Sequence, residues 1–460
     1  VHWFMDLPSY FIADLPADVP ISHTLITDAC RTLKRNRNTC LADRSTAELI
    51  RFVAELAGNW LKPDFAFRKL ALEHGPAHTG FSPATIARGL DAFFSELTAD
   101  NLTALIRQDL GDPNRLDRFV QDGTDQTRPG ARAAIARGPE LLVHVAPGNL
   151  PVPTLMCMVL GLLVRAAQFV KCATGTAFLP RLFAHSIYAE NSKIGSCIEL
   201  AEWPGGKTEL EQALFAQADC VIVTGTDDTV AAVRQLVPPD VRFVGYGHRI
   251  SFGFVTCQAL TRPGAKQVAA NAAADVAAWD QLGCLSPHLL YAETGGEISP
   301  DTFAELLAAE LARIETTQPR GAVPVETAAQ IVSRRALYEV RAANSPLTRL
   351  WASTGSTAWT VVYEADPQFQ LSCMHRFVYV KPVRDLAEAL ANAEIVRGKV
   401  STVGVAAPAE RLHQIASQLA SWGVTRICPL GRMQQPPLQW RHDGRPALAE
   451  LVTWTDLETE

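Results

Sequence analysis

The stretch Trp279-Asp-Gln-Leu-Gly-Cys284-Leu-Ser-Pro287 sets one cysteine directly after a glycine, in a polar turn between two apolar segments. The alanine-rich run Gln267 to Ala278 predicts a helix before it, and His288 to Glu293 predicts a strand after it. A cysteine at such a junction is partly exposed and has backbone N–H groups nearby. Those are the conditions under which a thiol ionises and an oxyanion formed beside it is stabilised, so Cys284 reads as a candidate nucleophile. Cysteine is also among the most buried residue types, and Cys284 reads as apolar filler too. The other nine cysteines are scattered, with no CxxC pair and no Cys/His zinc spacing, which predicts free thiols in a reducing compartment.

The elements around this stretch come in two textures. Residues 1–140 are helix-rich, with helical apolar spacing over Ile21 to Leu33, Thr46 to Leu61, Ser82 to Leu97 and Ala99 to Gln108. Ser45 and Ser82 supply N-cap chemistry, the second followed by a proline at the first helical position. From Leu141 onward short apolar strands alternate with helices. Strands are predicted at Leu141 to Val145, Phe169 to Lys171, Cys197 to Ala201, Cys220 to Val223 and Val241 to Val244. That alternation indicates βαβ units and a parallel, doubly wound sheet, whose ligands bind at the carboxyl ends of the strands. The turns holding Asn149, Lys171 to Thr174, and Gly225-Thr226 all fall at carboxyl ends, but no GxGxxG occurs. A second α/β portion follows Gly253, with strands at Thr360 to Tyr363, Phe377 to Val380, Thr402 to Val405 and Thr425 to Cys428.

Bulk properties narrow the partners. A chain of 460 residues has room for two or three domains, and 48% hydrophobic with 20% charged residues is the composition of a soluble globular protein. A net charge of −6 offers no basic face for nucleic acid or an anionic membrane. The most apolar run, Leu150 to Val164, is interrupted by Pro151 and Pro153 and stops at Arg165, short of the roughly 20 residues a spanning helix needs. Val1 to Asp6 lacks the basic and apolar regions of a signal peptide. A cytoplasmic protein with no membrane partner is the expectation.

The turns also fall into one order. Pro147-Gly-Asn-Leu-Pro151 resembles the P-W-N-F-P segment of the aldehyde dehydrogenase superfamily. Phe169-Val-Lys-Cys-Ala-Thr174 resembles its V-x-K-P-x-E, Val223-Thr-Gly-Thr226 its F-T-G-S, and Gln281-Leu-Gly-Cys284 its G-Q-x-C. Gly245-Tyr-Gly-His-Arg249 falls where E-L-G-G-K is expected, and Arg376 to Leu390 aligns with the strand and helix after E-I-F-G-P. Within the superfamily the chain is most similar to the LuxC-type acyl-CoA reductases, including the tail with Gly431-Arg-Met433 and Arg441-His-Asp-Gly444.

This resemblance implies a fold, a cofactor and roles. The fold is α/β and aldehyde-dehydrogenase-like, with a Rossmann-type cofactor domain, a second α/β catalytic domain and a small β oligomerisation element. The expected boundaries are 1–253 for the helical region and cofactor domain, with an oligomerisation hairpin at about 125–141. The catalytic domain is expected at 254–432, and the tail at 433–460 is expected to return to the oligomerisation element of a homo-oligomer. Cys284 falls on the family nucleophile. Asn149 falls on the amide that shares the oxyanion with the cysteine N–H, although in Pro-Gly-Asn-Leu-Pro it also reads as a plain turn residue. Lys171 falls on the lysine that holds the adenosine ribose, and Gly225 and Thr226 on the turn at the pyrophosphate; their other readings are a solvated lysine and a helix cap. Thr174 replaces the glutamate that repels a 2′-phosphate, which favours NADPH.

Two departures bear on the reaction. The general base of oxidising members aligns with Gly245, and no acid replaces it in Phe243 to Arg249. The nicotinamide-ribose glutamate aligns with Ser372, with His375 and Arg376 as candidate substitutes or as parts of a structural turn. The expected function is an NADPH-dependent reductase. It would convert acyl-CoA or another acyl-thioester donor, presented by an acyl-protein synthetase or otherwise, into an aldehyde through an acyl-cysteine. The alternatives are a hydrolytic dehydrogenase using His288 or His248 as base, an acyl-phosphate reductase, and an acyl-carrying scaffold. Phe252, Phe254 and Leu285 read either as an acyl tunnel or as core.

Overall fold

The computed structural model describes residues 7–16, 18–121 and 132–458, so residues 125–131 of the expected hairpin at about 125–141 lie outside the described residues. The chain forms two compact units. One comprises residues 1–79, 90–247 and 437–460, the other 80–89 and 248–436.

The chain begins with five helices, α1 (His23–Cys40), α2 (Thr46–Trp60), α3 (Ala66–Thr79), α4 (Pro83–Glu96) and α5 (Ala99–Leu110), of which residues 83–89 of α4 belong to the second unit and the rest to the first. Ser45 caps α2 by accepting the Glu48 N–H at 3.2 Å, and Ser82 caps α4 by accepting the Thr85 N–H at 3.2 Å, as their sequence positions predict. Helix α3 has no counterpart in the sequence reading, because Gly75 and Pro76 inside it mask the helical spacing. Strands β1 (Val120–Gln121) and β2 (Arg132–Arg137) precede the five parallel strands β3 (Leu141–Val145), β4 (Ala167–Cys172), β5 (Ile198–Glu202), β6 (Cys220–Thr224) and β7 (Arg242–Tyr246). Their order in the sheet is β5-β4-β3-β6-β7. The chain therefore turns back between β3 and β6, the switch point at which doubly wound sheets hold their ligands. The crossovers use α6 (Val152–Leu163), α7 (Phe178–Glu190), α8 (Ser192–Gly195), α9 (Thr208–Phe215) and α10 (Asp227–Leu236). The apolar run at 150–164 is the buried helix α6, and no helix among the described residues is long and apolar enough to cross a membrane.

The second unit is a seven-stranded sheet of β8 (Ile250–Val255), β9 (Pro287–Glu293), β10 (Thr348–Ala352), β11 (Thr360–Glu364), β12 (Phe377–Val383), β13 (Val400–Ala406) and β14 (Arg426–Pro429). The order is β10-β11-β12-β9-β8-β13-β14, and every pairing but β10 with β11 is parallel. Helices α11 (Ala265–Ala277) and α12 (Pro300–Thr317) cover one face, and α13 (Val325–Asn344), α14 (Leu386–Asn392) and α15 (Ala409–Trp422) the other. Strand β8 shows that the expected boundary at 253/254 is misplaced: it would cut a central strand, and the unit starts at His248 instead. The boundary expected at 432/433 moves too, since residues through Pro436 stay with this sheet. Phe252 and Phe254 are fully buried in the core beneath α13 to α15, with Phe252 edge-on to Tyr291 at 5.7 Å. They are packing residues of that core.

The tail ends in β15 (Thr453–Glu458), which pairs antiparallel with β2, making a three-stranded sheet β1-β2-β15.

Candidate active site

In the first unit Asn149, Thr174 and Gly225-Thr226 all stand at the carboxyl edge of the sheet, in the turns after β3, β4 and β6. Asn149 and Thr174 are exposed there. Lys171 is not the solvated lysine that its strand-end position allowed. It is buried, its Nζ lies 5.7 Å from the centre of the Trp203 ring, and burial pushes its pKa down against the nearby carboxylates of Glu211 and Glu202. Thr226 is the N-cap of α10, accepting the Thr229 N–H at 3.2 Å, and Asp227 and Asp228 follow in the first turn. Sequence reasoning passed over Glu202. Its carboxylate accepts the N–H groups of Gly175 at 2.8 Å and Ala177 at 3.3 Å, so a negative charge stands beside Thr174 after all. The signal was an acidic residue closing the strand next to the turn of Thr174.

Gly245 lies within β7 at an ordinary strand φ, so its glycine is not explained by a left-handed conformation. The reason is packing: a Cβ there would stand 2.7 Å from Val230 Cγ1 and 2.9 Å from Phe243 Cε1. The tail turn covers this strand end. Arg445 donates to the Gly245 carbonyl at 2.8 Å with its guanidinium 4.3 Å from the Tyr246 ring centre, and His442 stacks on the same ring at 4.3 Å.

In the second unit the half-buried Cys284 follows a run of three left-handed residues, Trp279, Asp280 and Gln281, with φ of 48°, 50° and 66°. A second run, Met374, His375 and Arg376, has φ of 60°, 53° and 65°. Outside glycine each such residue costs about 1–2 kcal/mol, and runs of this kind persist only where surrounding contacts over-determine them. Those contacts join the two runs. Arg376, wholly buried, donates from Nε to Asp280 Oδ1 at 3.0 Å, from Nη1 to Glu315 at 2.8 Å and to the Gln318 carbonyl at 2.9 Å. Gln281 accepts the Phe377 N–H at 2.8 Å and donates to the carbonyls of Phe377 at 2.9 Å and Pro287 at 2.8 Å. Trp279 fits because Gly89 has no side chain: a Cβ there would fall 1.9 Å from the indole. Arg376 is thus a structural clamp, which removes it as a candidate for the cofactor ribose.

His288 accepts at Nδ1 from the Ser372 N–H at 3.2 Å, with the Ser372 hydroxyl at 3.1 Å from the same nitrogen. Burial holds its pKa at about 4. It is neutral across the working range of most enzymes, and its basic nitrogen is already engaged. The turn after Cys284 is tied to the end of the sheet. Gln434 donates to Ser286 Oγ, and Asp275 accepts the N–H groups of Gly431 and Met433. Buried Arg426 donates to the carbonyls of Met433 at 2.6 Å and Arg432 at 2.8 Å, and its charge is within electrostatic reach of Cys284.

The family model described as acyl-CoA reductase (LuxC) matches residues 41–454. The chain belongs to the acyl-CoA reductase (LuxC) family. Curated relatives of this LuxC chain include the long-chain acyl-protein thioester reductases of Photorhabdus laumondii and Photorhabdus luminescens. Each is 20% identical over 416 residues, covering 89% of this chain and 82% of the relative. Solved structures of the same fold include a bifunctional proline utilization A protein, at TM-score 0.70 and 18% identity over 98% of this chain. The LuxC chain spans 46% of that protein. An NAD-dependent benzaldehyde dehydrogenase from Corynebacterium glutamicum matches at TM-score 0.69 and 13% identity, covering 96% of this chain and 91% of that one. The resemblance read from the turns therefore holds at the level of fold and family, and this LuxC protein is an oxidoreductase of the acyl-reductase type with an aldehyde-dehydrogenase fold.

Proposed function

We propose that the protein reduces an acyl thioester to the aldehyde, with NADPH as cofactor and Cys284 as the residue that takes the acyl group. The observations that carry the reading, beyond family membership, are the over-determined turn at Cys284 in one unit and, in the other, a strand end at Gly245 that carries no carboxylate. Cys284 thiolate attacks the thioester carbonyl, a C–S bond forms, and the carbonyl electrons move to oxygen. The Asn149 side chain and the Cys284 N–H stabilise that oxyanion. The intermediate collapses with loss of the donor thiolate, leaving acyl-cysteine.

The residues at the first unit's sheet edge fit a dinucleotide. Lys171 and the Thr174 hydroxyl suit a phosphorylated ribose, and the turn Gly225-Thr226 at the start of α10 suits the pyrophosphate. When bound, the reduced cofactor supplies the hydride that converts the acyl group to the aldehyde level. This chain's own part is to exclude a competing base. Phe243 to Arg249 carries no carboxylate, and His288 is neutral and engaged, so slow water attack on acyl-cysteine is expected, with His248 the remaining candidate base in that span. The donor is acyl-CoA or an acyl-protein, and the protein works in the cytoplasm as a homo-oligomer, with β2 and β15 as the oligomerisation element.

A panel of acyl-CoA, acyl-phosphate and free aldehyde substrates, followed by cofactor absorbance, tests the reading. Oxidation of NADPH with acyl-CoA is expected. Turnover with acyl-phosphate alone, or aldehyde oxidation that releases free acid, would replace it with one of the other two chemistries.

A further inference from the structure

The Cys284 turn holds a second backbone donor, and a buried serine controls which way it faces. The Ser286 N–H bonds the Gly283 carbonyl at 2.9 Å, which closes a four-residue turn with Cys284 and Leu285 at its centre. Neither central residue has a positive φ. A type II turn requires one at the second central position, so this turn is type I. In a type I turn both central residues are close to helical. Their N–H groups then point the same way, as in the first turn of a helix, the arrangement that favours a negative charge. Rotating the one peptide between Cys284 and Leu285 would give the type II form. That rotation would replace the Leu285 N–H with the Cys284 carbonyl oxygen, turning a donor into a repulsive acceptor at the same place.

Ser251 opposes that rotation. It is wholly buried in β8, and its Oγ donates to the Cys284 carbonyl at 2.7 Å while accepting the Thr402 N–H at 3.2 Å. The ladders on both sides of β8 shift register here, between Val400 and Thr402 on one side and between Ser251 and Gly253 on the other. The Thr402 N–H is thereby taken by the serine side chain. Because the hydroxyl accepts that N–H, its own hydrogen is left for the Cys284 carbonyl, and the bond has one polarity. The Leu285 N–H, anti to that carbonyl, faces away from Ser251 and meets no acceptor among the described residues.

We propose that the Leu285 N–H is an additional oxyanion donor for the acyl-transfer step, and that Ser251 is the positioning residue that keeps it facing the reacting carbonyl. This rests on Cys284 being the acylated residue. The step is the one given above: the thiolate–carbon bond forms, the carbonyl π electrons move to oxygen, and the donor thiolate leaves with its electron pair.

The test replaces the Leu285 amide by an ester, through incorporation of the α-hydroxy analogue of leucine at that position in the full-length protein. This deletes one N–H that bonds nothing in the protein, so the fold and the Tm are expected to be unchanged. Single-turnover acylation by a labelled acyl-CoA should slow by about 10²–10³-fold, the usual consequence of losing one oxyanion donor, with KM little altered. Ser251→Ala should slow the same step on the order of 10²-fold, and Ser251→Thr, which keeps the hydroxyl, should restore most of the rate. Ser186→Ala, which removes an equally buried hydroxyl bonded to Trp60 in the other unit, should lower the Tm without touching acylation. An ester variant that acylates Cys284 at the unmodified rate overturns the proposal even if Ser251→Ala is slow, because the serine would then act only on stability. A threonine variant as slow as the alanine one also overturns it. If the label in the unmodified protein sits on another cysteine, the assignment of Cys284 itself is wrong, a distinguishable result.

Discussion

At the scale of single residues, the site divides into groups that do chemistry and groups that hold them. Cys284 is half-buried, whereas Cys30, Cys172, Cys197 and Cys220 are buried. Burial pushes the thiols of these four, and that of Cys157, up to about 12. Cys40, Cys257, Cys373 and Cys428 are half-buried as Cys284 is, so the label decides between them: Cys284→Ala should abolish both acylation by a labelled thioester and aldehyde formation, and mass mapping of the label in the unmodified protein checks that no other cysteine carries it. Asn149 stands exposed at the switch point of its sheet, where an amide donor is cheap to present. Asn149→Ala is expected to lower kcat by about 10²–10³-fold and to leave NADPH affinity nearly intact. A collapse of cofactor binding with normal chemistry in the remaining complex would make it a structural turn residue.

At the scale of elements, the left-handed runs 279–281 and 374–376 and the strand β7 decide what the site tolerates. Breaking a buried ion pair by removing one charge leaves the other uncompensated. Asp280→Asn should thus destabilise the second unit by about 3–5 kcal/mol, read as a fall in denaturation midpoint with an unchanged m-value. Arg376 keeps Glu315 as a partner, which places the effect toward the lower end. In β7 the informative change is Gly245→Glu, which puts a carboxylate where the resemblance to aldehyde dehydrogenases expects a general base. Its Cβ collides with Val230 and Phe243, so it should fold poorly alone and better with Val230→Ala beside it. If the double variant folds and the carboxylate reaches water at the acyl-cysteine, the lifetime of isolated acyl-enzyme should fall by about 10²–10⁴-fold. Rapid hydrolysis by the unmodified protein would instead reveal a base that the strand does not show.

At the scale of the whole molecule, the proposed dinucleotide edge lies in one unit and the proposed nucleophile in the other, so cofactor choice is expected to be set by the first. The turn after β4 carries Thr174 where the proposed reading expects a carboxylate, and Glu202 brings a carboxylate to its flank, bound by two backbone N–H groups. Thr174→Glu should weaken NADPH relative to NADH, costing about 1–4 kcal/mol at intermediate dielectric. Glu202→Gln should move the preference the other way by a smaller amount. Competition binding of the two cofactors measures both, and an unchanged ratio in the first variant would show that this turn does not touch the ribose.

The sequence by itself determined the alternation of strands and helices, the order of the turns and the place of Cys284 after a glycine, because these are local: hydrophobic period, turn chemistry and motif spacing are all written within a few residues. Asn149, Thr174 and the turn at Gly225 could be set at carboxyl ends for the same reason. Only the tertiary structure decided what holds these residues. The left-handed runs at 279–281 and 374–376 contradict local preference and exist because Asp280 and Gln281 meet Arg376 and Phe377, about 96 residues away in the chain. Strand β8 was hidden by Ser251 and Gly253, two residues that weaken a strand in isolation. Ser251 is explained only when its partners, Thr402 and Cys284, are in place. The glycine at 245 likewise looks like a missing base in one dimension and is a packing requirement against Val230 and Phe243 in three. Contacts between distant segments carry no period, so no reading along the chain reports them.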